Sequence, residues 1–563
     1  MKPRIWINKI KFSDDTEISL EKDDIVVFVG PNNSGKTVSL NELSSKIQNQ
    51  NNETKVIKEI EIEKEGSVDE LLSFLESISI VRKDTNNPNN PNFLGYGYSL
   101  RLNNIRNQWQ NNNQEFRELS SIFINLLKTE NRLTATNPPE NIALTSQPPQ
   151  HPIHFLQKDD SIESKFNNYF KQAFGLDIVI HRNAGNKVPI YIGEKPDFEE
   201  GEDRVSISYT QKVEKLDLLH KQGDGMRSFM GVLLNSFLSY HSIICIDEPE
   251  AFLHPPQARL IGKMLGEDLP SERQLFLATH NLDFLKGLLD SKAKNIHIIR
   301  IERDGNINPV RHLDRQDIEK IWNDPILKHS NILDGLFHTH VILCESDSDC
   351  RFYSAITNSL YSDSEKPMPD ILFIHSGGKD RMPVIIKALK DLNIRISVIC
   401  DFDVLNDHQP IQNIYKSLGG DWDSVQTKWH SVKKAIEDKK PELQIDEAKQ
   451  QINETLDNNS EKYLTKKSIR DIKKILRKTS AWSYAKEQGK NFIPNGQPTQ
   501  DYQILVEELN QAGLYVVEIG ELESFCKSVG NHGPKWVNEV LQKDLKSDSE
   551  LEEARNFVEK IVK

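Results

Sequence analysis

The sequence predicts two α/β domains in series, residues 1–335 and 336–563. Apolar strand-like runs alternate with segments of helical spacing in two separate blocks, with a boundary near residues 325–339. A Gly-rich loop follows a strand of the first block, and acidic clusters end two strands of the second. Alternation of this kind builds parallel sheets covered by helices, and a chain this long exceeds what one hydrophobic core organises.

The first block opens with the strands IWINKIKF, EISL and DDIVVFVG, then a helix from Lys36. Residues from about 47 to about 165 read as an insertion, because NQNNET, DTNNPNNPN, NQWQNNNQ, TNPPEN and SQPPQHP break regular structure. Between them SVDELLSFLESISIV and EFRELSSIFINLLKTE have helical spacing and are candidate dimerisation helices. From about residue 175, LDIVIHR, VPIYIG and RVSISYT read as strands. SFMGVLLNSFLSY then reads as a helix, SIICIDE as a strand, HPPQARLIGKMLGEDL as a helix and RQLFLATH as a strand. The second block runs THVILC, a helix after Asp347, DILFIHS, a helix from Lys379 to Asp391, and IRISVIC. A polar helical insertion, about 408–500, separates these from the last strand, GLYVVEIG.

Gly30-Pro31-Asn32-Asn33-Ser34-Gly35-Lys36-Thr37 fits the phosphate-loop pattern and follows the apolar strand IVVFV, as its mechanism requires. Backbone N–H groups of such a loop face phosphate oxygens, Lys36 reaches the β and γ phosphates of ATP, and Thr37 holds magnesium. Asp247 ends the strand SIICID and is placed to bind the same ion, with Glu248 beside it to polarise the attacking water. His280, at the end of QLFLATH, is placed to sense the γ-phosphate, and Arg132 in TENRLTAT is a further candidate for nucleotide sensing. Together these elements resemble the ABC-type ATPases of the SMC-like branch. Gln222-Gly223-Asp224-Gly225-Met226-Arg227-Ser228 resembles the signature loop of that class, although it departs from the usual Ser-Gly-Gly core. In that class the loop completes a partner's ATP site, which implies nucleotide contacts at Gly223 and Gly225 and a homodimer or higher homo-oligomer formed through the ATPase domain.

In the second block Glu345 ends one strand and Asp349 starts the next helix, while Asp401 and Asp403 end another strand. Open α/β sheets carry their sites at such carboxyl ends, and strand alternation points Asp401 and Asp403 the same way. Carboxylates this close repel one another without a cation. The acidic strand end, the Gly-rich turn His375-Ser376-Gly377-Gly378-Lys379 and the Asp-x-Asp pair, in that order, resemble the Toprim (Rossmann-like parallel sheet) domain of nucleases, topoisomerases and primases.

An ABC-type ATPase followed by a Toprim domain resembles the OLD (overcoming lysogenization defect) nuclease family. The resemblance implies Glu523, in Gly520-Glu521-Leu522-Glu523, as a second-metal ligand, and a late lysine for which Lys527 and Lys535 both qualify. Ser346 departs from the glycine usual after the Toprim glutamate. Two Mg2+ or Mn2+ ions held by Glu345, Asp349, Asp401, Asp403 and Glu523 would then serve hydrolysis of DNA. Nucleotide state would gate that cleavage rather than power it. Relatives in this family act in phage defence, including the Gabija system and retron effectors, and the resemblance leaves open which system this chain serves, a reverse transcriptase with its DNA–RNA product being one candidate partner. Two rival readings fit the same residues: a catalytically inactive Toprim domain in an ATP-driven DNA sensor or repair scaffold, and a nuclease acting on RNA such as tRNA.

The net charge of −13 argues against indiscriminate coating of nucleic acid, which needs a broad basic surface. One local basic stretch stands out, residues 461–478, with eight basic residues against two acidic ones and Ile469, Ile472 and Leu476 on one helical face. Nearby Trp482 and Tyr484 suit either base stacking or core packing. The five cysteines lack paired metal-ligand spacing and a secreted disulfide pattern. No apolar run reaches the roughly 20 residues of a membrane span, so the expected location is the cytoplasm.

Overall fold

The computed structural model describes residues 2–563, apart from 84–86, 112–113, 294, 306, 314–323, 325–330, 363, 366, 440–443, 459–460, 462 and 478–479. It divides into two compact units, Met1–Asp324 and Pro325–Lys563. The boundary therefore precedes the expected 335/336 junction. The reason is the 3-10 segment Asn331–Phe337, which buries Ile332, Leu333 and Leu336 and sets Gly335 against Val341, Leu389 and Ile394 of the second unit.

Six strands form the central sheet of the first unit, in the order Val310–Leu313, Ile296–Ile301, Ile25–Val29, Gln274–Ala278, Ile243–Asp247, Ile124–Leu127. All neighbours pair parallel except the edge strand Val310–Leu313. A parallel sheet is covered on both faces, so its strands read as continuous apolar runs rather than alternating ones. IVVFV and QLFLA are buried at every position. A separate antiparallel sheet packs Arg4–Phe12 between Glu17–Ser19 and Ile57–Glu65.

Three expectations are corrected here. The region from 47 to 165 is not one insertion, because Ile57–Glu65 pairs with the N-terminal strand and Ile124–Leu127 is the edge of the central sheet. EFRELSSIFINLLKTE is accordingly a 3-10 turn, Arg117–Ile122, followed by that strand, and its spacing misled because a short edge strand after a turn can mimic helical periodicity. RVSISYT starts a helix, Ile207–Val213, whose Tyr209 and Val213 fall four apart in a small apolar cluster with Val179.

The second unit contains a four-stranded, all-parallel sheet in the order Ile371–His375, His340–Cys344, Arg395–Cys400, Leu514–Val516. The chain leaves His340–Cys344 toward one side of the sheet and returns to its other side at Arg395–Cys400. The topological switch point therefore lies between these two strands. The 408–500 stretch is a series of helices joined by short turns among its described residues, including Trp422–Glu437, Lys466–Arg477 and Ala481–Gln488. Among the described residues no helix is long and apolar enough to cross a membrane.

Helix Asp224–Leu238 seats against Thr129–Thr134 at Gly231, where a Cβ would collide with the Arg132 carbonyl. Gly231→Ala should therefore destabilise the first unit by roughly 1–3 kcal/mol through overpacking, against the gain that alanine normally brings to a helix. Thermal unfolding checks this, the expected result being a lower first midpoint.

Candidate active sites

The phosphate loop sits between the strand Ile25–Val29 and the helix Lys36–Gln48. Gly30 has φ +144° and abuts the Ile301 carbonyl, and Gly35 has φ +109°, so both positions exclude a side chain. Asn33 also adopts a positive φ, +62°, tolerable for asparagine. Asn308, from the neighbouring edge, donates to the Ser34 carbonyl at 2.8 Å and pins the loop. Lys36 Nζ donates to the carbonyls of Gly30 and Pro31, 2.8 Å each, which holds its ammonium across the mouth of the loop.

Thr37 Oγ1 donates to Asp247 Oδ1 at 2.9 Å, joining the loop to the end of Ile243–Asp247. Burial raises the Asp247 carboxyl above its usual range, with Glu248 adding to the shift and Thr37, Arg132 and Lys36 opposing it. Glu248 itself has φ +48°, a costly left-handed conformation for a non-glycine residue. Buried Arg132 explains its persistence: the guanidinium donates to the Asp247 carbonyl at 2.9 Å and to the Glu248 carbonyl. Arg132 thus braces the backbone of the acidic pair from beneath. His280 Nδ1 lies 3.1 Å from Glu248 Oε1 and 3.8 Å from Glu250 Oε1. Buried Glu250, also accepting from Thr279 Oγ1 at 2.7 Å, is pushed up to about 7 by desolvation. Gly223 caps helix Asp224–Leu238, and Gly225 in its first turn approaches the Phe252 carbonyl, where a Cβ would come within 2.8 Å.

In the second unit, Glu345 follows the last residue of His340–Cys344 and Asp401 the last residue of Arg395–Cys400, on adjacent strands at the switch point. Asp401 N donates to Glu345 Oε1 at 3.2 Å. Strand alternation does not bring Asp403 alongside, because the strand stops at Cys400 and Asp403 lies in the 3-10 turn Phe402–Leu405. Carboxylate oxygens of Glu345, Asp401 and Asp403 all lie within 4.8 Å of one another. Such a set of hard oxygen donors suits Mg2+ or Mn2+. Glu521, Glu523 and His532 form a second group of the same compactness, in which Glu523 Oε1 accepts from Gly533 N at 2.7 Å.

Asp349 stands outside both groups and closes a capping box with Ser346, whose N–H donates to Asp349 Oδ2 at 2.8 Å. This explains the missing glycine: Ser346 is extended, at φ −133°, and caps the helix Asp347–Tyr361 without strain. Burial raises Asp349, and the Glu523 charge adds to the rise. Burial and then Glu345 push Asp401 up to about 8. Glu345 is likewise raised by burial, with Lys379 opposing and Asp403 reinforcing. Asp403 behaves differently: burial would raise it, but Lys379 and Lys486 outweigh burial and hold it below the usual carboxylate range.

The lysines against these carboxylates are not the expected Lys527 or Lys535, both of which are exposed. Lys379 pairs with Asp403 and lies 3.8 Å from Glu345. Lys486 lies 3.1 Å from Asp403, 3.4 Å from Asp401 and 3.7 Å from Glu521. Lys379 was marked by its Gly-rich turn, whereas no motif marks Lys486, Glu250 or His532. Trp482 is buried and Tyr484 stacks on Phe492, so both pack rather than face outward for bases.

Residues 25–286 match the family model described as "AAA domain, putative AbiEii toxin, Type IV TA system". Residues 336–403 match that described as "Overcoming lysogenization defect protein-like, TOPRIM domain". An uncharacterised protein of Methanocaldococcus jannaschii is 30% identical over 87 residues, which are 15% of this chain and 76% of that protein. Among solved structures, the Smc head bound to the C-winged helix domain of ScpA gives a TM-score of 0.33 at 12% identity, covering 56% of this chain and 100% of that one. The Smc head with an extended coiled coil bound to the C-terminal domain of ScpA, from Pyrococcus furiosus, gives 0.30 at 12% identity, covering 57% and 99%. The SMC head domain from Thermotoga maritima gives 0.27 at 11% identity, covering 56% and 100%.

The capping box makes Ser346 a stabilising residue. Ser346→Ala should cost about 0.5–2 kcal/mol, read as a lower denaturant midpoint for the second unit.

Proposed function

We propose, from the architecture of an AAA ATPase domain followed by a Toprim domain that this chain shares with the OLD (overcoming lysogenization defect) family, that it is a nucleotide-gated, metal-dependent endonuclease acting on DNA. The observation that carries this reading is the convergence of Glu345, Asp401 and Asp403 at the switch point of a parallel sheet. Glu523, with Glu521 and His532, is the second candidate ligand group, and Asp349 adds charge between them. Divalent ions held by these carboxylates would supply Lewis-acid stabilisation of charge on the oxygens of a phosphodiester. The protein's own part is to fix the carboxylates: the Asp401 N–H orients Glu345, Lys379 holds Asp403, and the Gly533 N–H orients Glu523.

The first unit binds ATP through Gly30, Asn33, Gly35, Lys36 and Thr37, with Asp247 toward magnesium. Glu248 polarises the attacking water, and His280, 3.1 Å from it, orients that carboxylate. Gly223 and Gly225 would complete the site of a second copy, so a dimer is the unit that turns over ATP. Nucleotide state then gates access to the acidic centre. The family resemblance supports a cytoplasmic anti-phage effector, with a reverse transcriptase and its DNA–RNA product as a restraining partner.

Purified protein incubated with supercoiled DNA, linear DNA and tRNA, in Mg2+ or Mn2+, tests the reading. DNA should be cut, and Asp401→Ala/Asp403→Ala should lose more than about 100-fold in rate, beyond the roughly 10–100-fold that outer-shell losses cost. Cutting of tRNA with DNA intact would move the substrate to RNA, and no metal-dependent cutting would remove the nuclease reading. Glu248→Gln should slow ATP hydrolysis about 100- to 10,000-fold, the usual contribution of a positioned base. Lys36→Ala and Glu248→Gln should also change cleavage across ATP concentrations, whereas rates identical to wild type would rule out gating.

A further inference from the structure

Lys486 lies 83 residues beyond Asp403 in sequence, on the helix Ala481–Gln488. Its ammonium nevertheless reaches Asp401 and Asp403 at 3.4 and 3.1 Å and Glu521 at 3.7 Å, so a single cation touches both groups of candidate metal ligands.

Backbone packing builds this position. Gly520, at φ +124°, sits so close to the Lys486 carbonyl oxygen that a Cβ there would collide with it. Gly489, at φ +59°, sits as close to the Glu518 carbonyl oxygen. Lys490 N donates to that same carbonyl at 2.8 Å. Residues 486–490 and 518–520 are therefore seated backbone against backbone, an approach that glycine permits and a side chain forbids. Trp482, buried in the same helix, donates from Nε1 to Glu437 at 3.4 Å. A lysine that reached acids merely by the length of its stem would need none of these contacts.

An ammonium at about 3 Å from a carboxylate oxygen competes with a divalent ion that takes the same oxygen at roughly 2.1 Å. Both cations cannot share Asp401 and Asp403 in a partly buried site without strong repulsion. A divalent ion on these oxygens would drive the ammonium away, and the tight seat of residues 486–490 would loosen with it.

Resting on the reading of these carboxylates as divalent-metal ligands, we propose that Lys486 is the resident counter-cation of the acidic centre. With Lys379 already on Asp403, it offsets part of the charge of Asp401, Asp403 and Glu521 until a divalent ion displaces it, which couples metal occupancy to the seating of residues 481–490.

Mn2+ binding to the full-length protein, followed by calorimetry and electron paramagnetic resonance without nucleic acid, tests this. Lys486→Met should bind Mn2+ about fivefold or more tightly, the order expected when one nearby positive charge is removed. Lys486→Arg, which keeps the charge, should stay near wild type. Hydrogen exchange of the wild-type protein should increase at residues 481–490 when Mn2+ is added. Equal or weaker binding by a folded Lys486→Met protein would overturn the proposal, because Lys486 would then be inert or an aid to the ligands. Should that variant fail to fold, unchanged exchange at 481–490 in the wild type overturns it equally. Binding by the wild type no stronger than by Asp401→Ala/Asp403→Ala would instead remove the metal reading, and this proposal with it.

Discussion

The second unit is organised around a concentration of negative charge that its own fold creates. Parallel strands that diverge at a switch point bring their carboxyl ends together, and this sheet puts an acid on each of the two central strands. Burial makes that charge costly, which is why Asp401 is pushed up to about 8 and Glu345 and Asp349 rise as well. A fold driven only by stability would replace such carboxylates with apolar residues of similar size. Two lysines, Lys379 and Lys486, lie against these carboxylates and offset part of their charge.

The nucleotide site meets a related constraint by a different route. Its acids are carried past the end of a strand by a left-handed residue, Glu248, and that conformation is fixed from below by a buried arginine bound to main-chain carbonyls. Arg132 therefore acts on geometry, while its charge also offsets that of Asp247. Buried Glu250 accepts from both Thr279 Oγ1 and the His280 N–H through Oε1 and so ties down the strand end that bears the histidine. In both sites partly buried acids stand at the ends of parallel strands with protein cations close by.

Much of this was legible in the sequence because it is local. A glycine loop after an apolar strand, Asp-Glu after another, and acids after two further strands each declare themselves within about ten residues. The continuous apolar strands were legible for the same reason, since a sheet buried on both faces leaves no alternation to confuse with a surface strand. What was hidden depends on distant pairing. Ile124–Leu127 is a strand only because Ile243–Asp247 lies beside it, and its Asn- and Gln-rich surroundings suggested an insertion. Nor does the sequence reveal that the Arg132 guanidinium is buried. Lys486 carried no motif at all, since the two glycines that seat its helix are informative only once residues 489 and 520 are brought together.

The claim on which the functional reading rests is that the carboxylates of the second unit form a divalent-metal centre. Anomalous scattering from crystals grown with Mn2+ locates the ion directly. A peak among Glu345, Asp401 and Asp403, with a second beside Glu523, is the predicted result. Manganese found only between Thr37 and Asp247, with nothing at the switch-point acids, would contradict it.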